Sequence, residues 1–138
     1  MMQREEVKAF KNELRNYTYY CSRIVSLENS IQFCFDRLGG VRGVDPSKEP
    51  THVLPNKDLE YKLRDDIERY ETKLRRYRAK LSEIDEILDR METNVCEAIK
   101  RVYIKGEHIE KVGRELYLSH NGLAKRMNKA IERALNEI

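Results

Sequence analysis

The chain has no tryptophan, three prolines and six glycines in 138 residues. An antiparallel sandwich or barrel needs a turn every ten residues or so, and its turns draw on Gly and Pro. This supply is too small for a turn-rich β fold. The three cysteines, Cys21, Cys34 and Cys96, are odd in number and lack metal-ligand spacing. Neither a disulfide framework nor a zinc site is expected, and a reducing cytoplasm is. No apolar run approaches the roughly 18 residues that would span a bilayer. The opening MMQREEVKAF has no apolar stretch or cleavage pattern, so it is not read as a signal peptide.

Catalytic signatures are missing too. There is no Gly-rich phosphate loop, nucleophile elbow or metal-binding helix motif. His52, His108 and His120 share no ligand spacing with one another or with the cysteines. The acidic pair Asp65-Asp66 falls on a helix face expected to meet water. No enzyme activity, cofactor or metal is expected.

Charge is what the chain has in quantity. Charged residues are 37% of it, against about 25% in ordinary globular proteins. Ala, Glu, Lys, Leu and Arg supply 63 of the 138 residues, a composition typical of long helices. Residues 1–56 carry 8 basic and 7 acidic side chains, and residues 57–94 carry 10 and 11. Residues 95–138 carry 9 and 6, so the net charge of +3 falls entirely in the last third. A local basic excess permits contact with nucleic acid.

Two heptad seams organise the first two thirds. One runs Val7, Phe10, Leu14, Tyr17, Cys21, Ile24, then Ile31, Phe35 and Leu38, interrupted at Glu28 with Leu27 beside it. The other runs Leu63, Ile67, Tyr70, Leu74, Tyr77, Leu81, Ile84, Leu88, Met91 and Val95. Such 3.5-residue spacing predicts two long helices, each with one apolar stripe that needs a partner. Of the neighbouring tyrosines, Tyr17 is assigned to the seam, with Tyr19 and Tyr20 flanking it. Residues 39–56 hold three glycines and all three prolines and predict a loop. Gly39-Gly40 is expected to end the first helix through a positive φ, and Asn56 to cap the second, with Asp58 in its first turn. An antiparallel hairpin follows, and its exposed seams imply a homodimer or higher oligomer through these helices. The basic stretch KLRRYRAK at 73–80 flanks a seam and is read as solvated or paired.

After Met91 the pattern shortens. Val95, Ile99, Val102 and Tyr103 predict a helix ending at Lys105-Gly106. Ile109, Val112 and Leu116 predict a second, and Leu123, Met127, Ile131, Ala134 and Ile138 a final basic one. A short helix, a tight joint and a longer basic helix make the helix-turn-helix plan. Gly113 is expected where the two motif helices approach closely, with Val112, Leu116, Leu118 and Leu123 as the small core. Ser119 is the expected cap of the last helix. The side chains then available to phosphates and base edges are Ser119, His120, Asn121, Lys125, Arg126 and Lys129.

The stretch HIEKVGRELYLSHNGLAKRMNKAIERAL resembles the promoter-reading C-terminal (region 4) domain of bacterial sigma factors. The whole layout is similar to the small late transcription regulators of Gram-positive phages, the RinA/ArpU-like group. The sequence departs from that pattern at four positions. Tyr117 stands where the turn usually has Gly, and His108 where a Thr cap commonly sits. Gly122 leaves the first turn of the reading helix without a side chain, and Arg126 replaces an apolar residue whose core role falls to Met127.

The resemblance implies an all-α protein with residues 1–94 as a hairpin module and residues 95–138 as a helix-turn-helix domain. It further implies a phage-type regulator that binds double-stranded DNA, acts with RNA polymerase at a late promoter, and works in the cytoplasm of a bacterial host. Nothing resembles the promoter-melting region of a complete sigma factor. Two rivals stand beside it: a DNA-recognition subunit for phage genome packaging, and a polymerase-binding adaptor that does not itself touch DNA.

Overall fold

The computed structural model describes residues 2–42 and 57–137. Among them every regular element is helical, so the protein is all-α as expected. The helices are α1 (Met2–Arg15), α2 (Tyr17–Arg42), α3 (Lys57–Asp89), α4 (Thr93–Ile99), α5 (Ile109–Glu115) and α6 (His120–Asn136). Among the described residues no helix is long and apolar enough to cross a membrane. The expected cap Asn56 and most of the 39–56 loop lie outside the described residues.

The first seam departs from its prediction at Asn16. Val7, Phe10 and Leu14 are buried as expected, but the next buried residues are Tyr20, Leu27, Cys34 and Leu38. From Leu14 to Tyr20 is six residues, one short of a heptad, so the stripe slips by one position. The slip coincides with a turn at Asn16, whose N–H is shared between the carbonyls of Asn12 and Glu13, both at 3.1 Å. Two helices replace the single one expected. Tyr20 therefore replaces Tyr17 as the buried tyrosine, and Phe35 is 49% exposed instead of buried. Gly39-Gly40 does not stop α2, which runs on to Arg42. Glycine permits a left-handed turn without compelling one.

The chain divides into two compact units, residues 21–78 and residues 1–20 with 79–138. They divide it differently from the 1–94 and 95–138 scheme, because α1 packs with α6 and with the segment after α4.

In the unit of residues 21–78, α2 and α3 pack on Cys34, Leu38, Leu63 and Ile67, with Ile31, Leu59 and Tyr70 half-covered around them. Arg23 lies over the Tyr77 ring at 5.9 Å, and Arg78 pairs with Glu28 at 2.7 Å.

In the other unit α6 is central and packs on α1, α4 and α5. Leu14, Leu88, Ile99, Val112, Leu123, Met127 and Ile131 are its largest fully buried side chains. Buried Tyr20 keeps its hydroxyl satisfied by donating to Glu13 Oε2 at 2.6 Å, and Lys80 Nζ lies 3.9 Å from the same oxygen. Tyr17 donates to Asp85 at 2.9 Å. Both bonds meet the need for polar partners that seam tyrosines bring. Helix α4 continues as a π-wound segment over Lys100–Ile104, closed by the Lys105 N–H donating to the Lys100 carbonyl at 3.0 Å. Gly106, at φ +72°, ends it where the sequence predicts.

Candidate nucleic-acid interface

The candidate surface is the exposed side of α6, and three local devices set its position. The first is the crossing at Gly113. A Cβ there would lie 2.8 Å from the Leu118 carbonyl oxygen, closer than real side chains come. The Leu118 N–H also donates to the Gly113 carbonyl at 2.8 Å. Only glycine allows the joint to fold this tightly onto α5.

The second device is the joint itself. Helix α5 ends at Glu115, and Tyr117 carries the reversal with φ +58° and 96% of its surface exposed. A position that favours glycine is thus held by a bulky residue that packs against nothing, a local strain. Because the chain reverses here, Leu116 is 37% exposed rather than part of the small core. Val112 and Leu123 are buried as expected, and Leu118 is half-buried. Leu116, Leu118 and Leu123 line an apolar cleft of about 120 Å³ with Val95, Ala98 and Arg126.

The third is the cap. Ser119 Oγ accepts the Gly122 N–H at 3.0 Å. A Cβ on Gly122 would lie 3.0 Å from the same oxygen, which gives that glycine a structural reason. His108 is the cap residue of α5, but its side chain makes no capping hydrogen bond.

Helix α5 is held at both ends by one arginine from the π segment. Arg101 donates through Nε and Nη2 to the two Glu107 oxygens, at 2.8 and 3.1 Å, and through Nη1 to Glu115. Such a forked pair has defined geometry as well as charge. The Arg101 hydrogen bonds hold both carboxyls below the usual carboxylate range. Lys111 adds a longer contact to Glu107 at 3.6 Å.

On this frame the sequence-predicted residues separate into two groups. Asn121, Lys125, Arg126 and Lys129 are exposed, and the three cations have no carboxylate partner among the described residues. Asn121, Lys125 and Lys129 follow one another at four-residue steps, so they form a row along one face. Arg126 and Lys129, three apart, begin a second row that Arg133 continues. Met127 is fully buried, so Arg126 is free to face outward. Ser119 and His120 do not join these rows. The Ser119 hydroxyl is engaged in the cap, and His120 Nδ1 lies 3.9 Å from Glu110 on α5.

Two cations escaped the sequence analysis. Arg133 was legible from its seven-residue spacing to Arg126. Arg90 was not, since it comes from the end of α3, where its Nη1 donates to the Ala134 carbonyl at 2.9 Å. With Arg126, Lys129 and Arg133 it lines a groove of about 480 Å³ that Glu92 and Glu137 also border. Among the described residues no group of three or more His, Cys, Asp or Glu side chains is placed to hold a metal. No known protein family, curated protein or solved structure matches the chain.

Proposed function

We propose that the protein is a sequence-specific DNA-binding regulator of transcription, of the phage type that resembles sigma region 4. In this proposal α5, the joint and α6 form a helix-turn-helix, and α6 enters the major groove. Lys125, Arg126 and Lys129 neutralise phosphates, Asn121 reads a base edge, and Arg133 extends the footprint along the same face. His120 meets the DNA only where it leaves Glu110. Residues 1–94 supply a helical hairpin that joins copies or contacts RNA polymerase at a late promoter in a bacterial cytoplasm.

The observation that carries the proposal is the pair of unneutralised basic rows on the open face of α6. Among the lysines and arginines outside α6, Arg64, Arg69, Arg78, Lys80, Arg101 and Lys111 lie against carboxylates, while others, such as Arg75, do not. Those of α6 stand unpaired on the one helix whose start and crossing are fixed by a cap and a glycine contact.

The test is retention of sheared DNA from the source genome, with sequencing of what is kept. Enrichment at one promoter, lost in a folded Lys125/Arg126/Lys129 triple-alanine variant, supports the proposal. Lys125→Ala and Lys129→Ala should each flatten the salt dependence of binding by about one counterion. Salt slopes equal to wild type would remove those contacts from the proposal, and enrichment beside packaging genes would favour a packaging role.

One feature favours a second reading. The cleft beside Leu116 leaves apolar surface on the same domain, as a protein-docking adaptor would require. A stable complex with RNA polymerase and no DNA retention would support it.

A further inference from the structure

The two-helix unit of residues 21–78 leaves a second stripe of α2 uncovered. Ile24, Leu27, Ile31, Cys34 and Leu38 form the covered stripe, all buried or half-buried. Beside it, at the same alternating steps of four and three, run Cys21, Val25, Glu28, Gln32 and Phe35. Val25 is 56% and Phe35 49% exposed. Phe35 borders a groove of about 340 Å³ between α2 and α3, floored by Ile31 and Leu74. Large apolar side chains on a heptad stripe, beside an open groove, mark a surface built for another helix.

The stripe is its own complement when reversed. Place a second α2 antiparallel to the first, with the two-fold axis midway between Glu28 and Gln32. Val25 then meets the partner's Phe35, and Glu28, paired with Arg78 of its own chain, meets the partner's Gln32, which keeps a second amide N–H to donate beside the one given to Asp36. Set parallel in register, Glu28 would instead face the partner's Glu28, with no amide to donate to either carboxylate. Along the α3 wall of the groove, Glu71 and Arg75 have no ion-pair partner among the described residues. They offer one charge of each sign to an identical partner related by the two-fold axis. A surface self-complementary in shape class and charge is what an isologous interface requires.

We infer that the chain forms an antiparallel homodimer through α2, with Val25 of each copy packed against Phe35 of the other. Together the two copies make a four-helix arrangement that covers the groove on both sides. The inference does not depend on DNA binding, since none of these residues lies on α6.

Sedimentation equilibrium of the full chain tests it. The wild type is expected to be a dimer. Phe35→Glu and Val25→Lys, each at an already exposed position, should weaken the dimer at least about 30-fold, with the helical circular dichroism unchanged. The double variant Val25→Lys/Phe35→Glu places opposite charges across both symmetric contacts and should recover the dimer. A monomeric wild type at every concentration would overturn the inference, whether another segment of the chain or a different protein covers the stripe. So would single variants that dimerise like wild type, or a double variant no stronger than either single. The α6 triple-alanine variant should dimerise normally.

Discussion

Gly113→Ala would test whether close approach at the α5–α6 crossing shapes the candidate interface. In an isolated helix the change should help, since Ala is favoured over Gly by about 1 kcal/mol. Here the new Cβ meets the Leu118 carbonyl oxygen at 2.8 Å, well inside the 3.4 Å at which ordinary contact begins. That oxygen belongs to the backbone of a short joint and cannot swing aside as a side chain would. Forcing it away costs about 1–3 kcal/mol. It also stretches the bond from the Leu118 N–H to the Gly113 carbonyl, now 2.8 Å long, which contributes about 1 kcal/mol. Against the propensity gain, the net loss is about 1–3 kcal/mol. For a chain of this length that lowers Tm by roughly 4 °C per kcal/mol. Thermal melts followed by circular dichroism give the measurement. Gly39→Ala is the internal control: Gly39 lies within α2 and has nothing within 4 Å of its would-be Cβ. It should stabilise by about 0.5–1 kcal/mol. If Gly113→Ala were as stable as wild type or more so, the close-approach argument would be refuted.

Tyr117→Gly should stabilise by about 0.5–1 kcal/mol, because relief of the positive φ outweighs the added freedom of the unfolded chain; a lower urea midpoint would contradict it. Ser119→Ala should cost about 1 kcal/mol and Ser119→Asp much less, since a carboxylate can accept the same Gly122 N–H; equal losses in both would show that the hydroxyl is not the cap. Arg101 holds the Glu107 and Glu115 carboxyls below their ordinary value. Stability from this source is therefore full above the unfolded carboxylate pKa of about 4.3 and drains away as pH falls through the lowered values. In Arg101→Met the acid limb of the urea midpoint against pH should be flatter, and a limb as steep as wild type would place the acid sensitivity elsewhere.

Features governed by neighbours in sequence were legible before any coordinates. Ser119 as a cap, Gly113 as a crossing point, Gly106 as a helix end and the awkward Tyr117 in the joint all depend on bonds spanning six residues or fewer. Period alone also placed Leu63, Ile67, Leu74, Ile84 and Leu88 on the buried side of α3. The first seam was harder to place because apolar residues stand on both sides of the true stripe. Cys34 and Phe35 are adjacent, as are Tyr20 and Cys21, so a one-residue slip at Asn16 leaves the heptad count looking intact.

The sequence by itself determined that the chain is helical, where most of its helices lie, and how α6 is capped and joined to α5. These follow from backbone preferences and apolar spacing, which act within a few turns. Tertiary structure alone decided that α1 packs with α6, that Tyr20 and Cys34 rather than Tyr17 and Phe35 are buried, and that Arg90 reaches the end of α6. It also separated His120, beside Glu110, from the open lysines. An apolar stripe specifies that a helix must be covered but not by what, since burial is non-directional. Which faces meet is settled only when all the helices are packed at once.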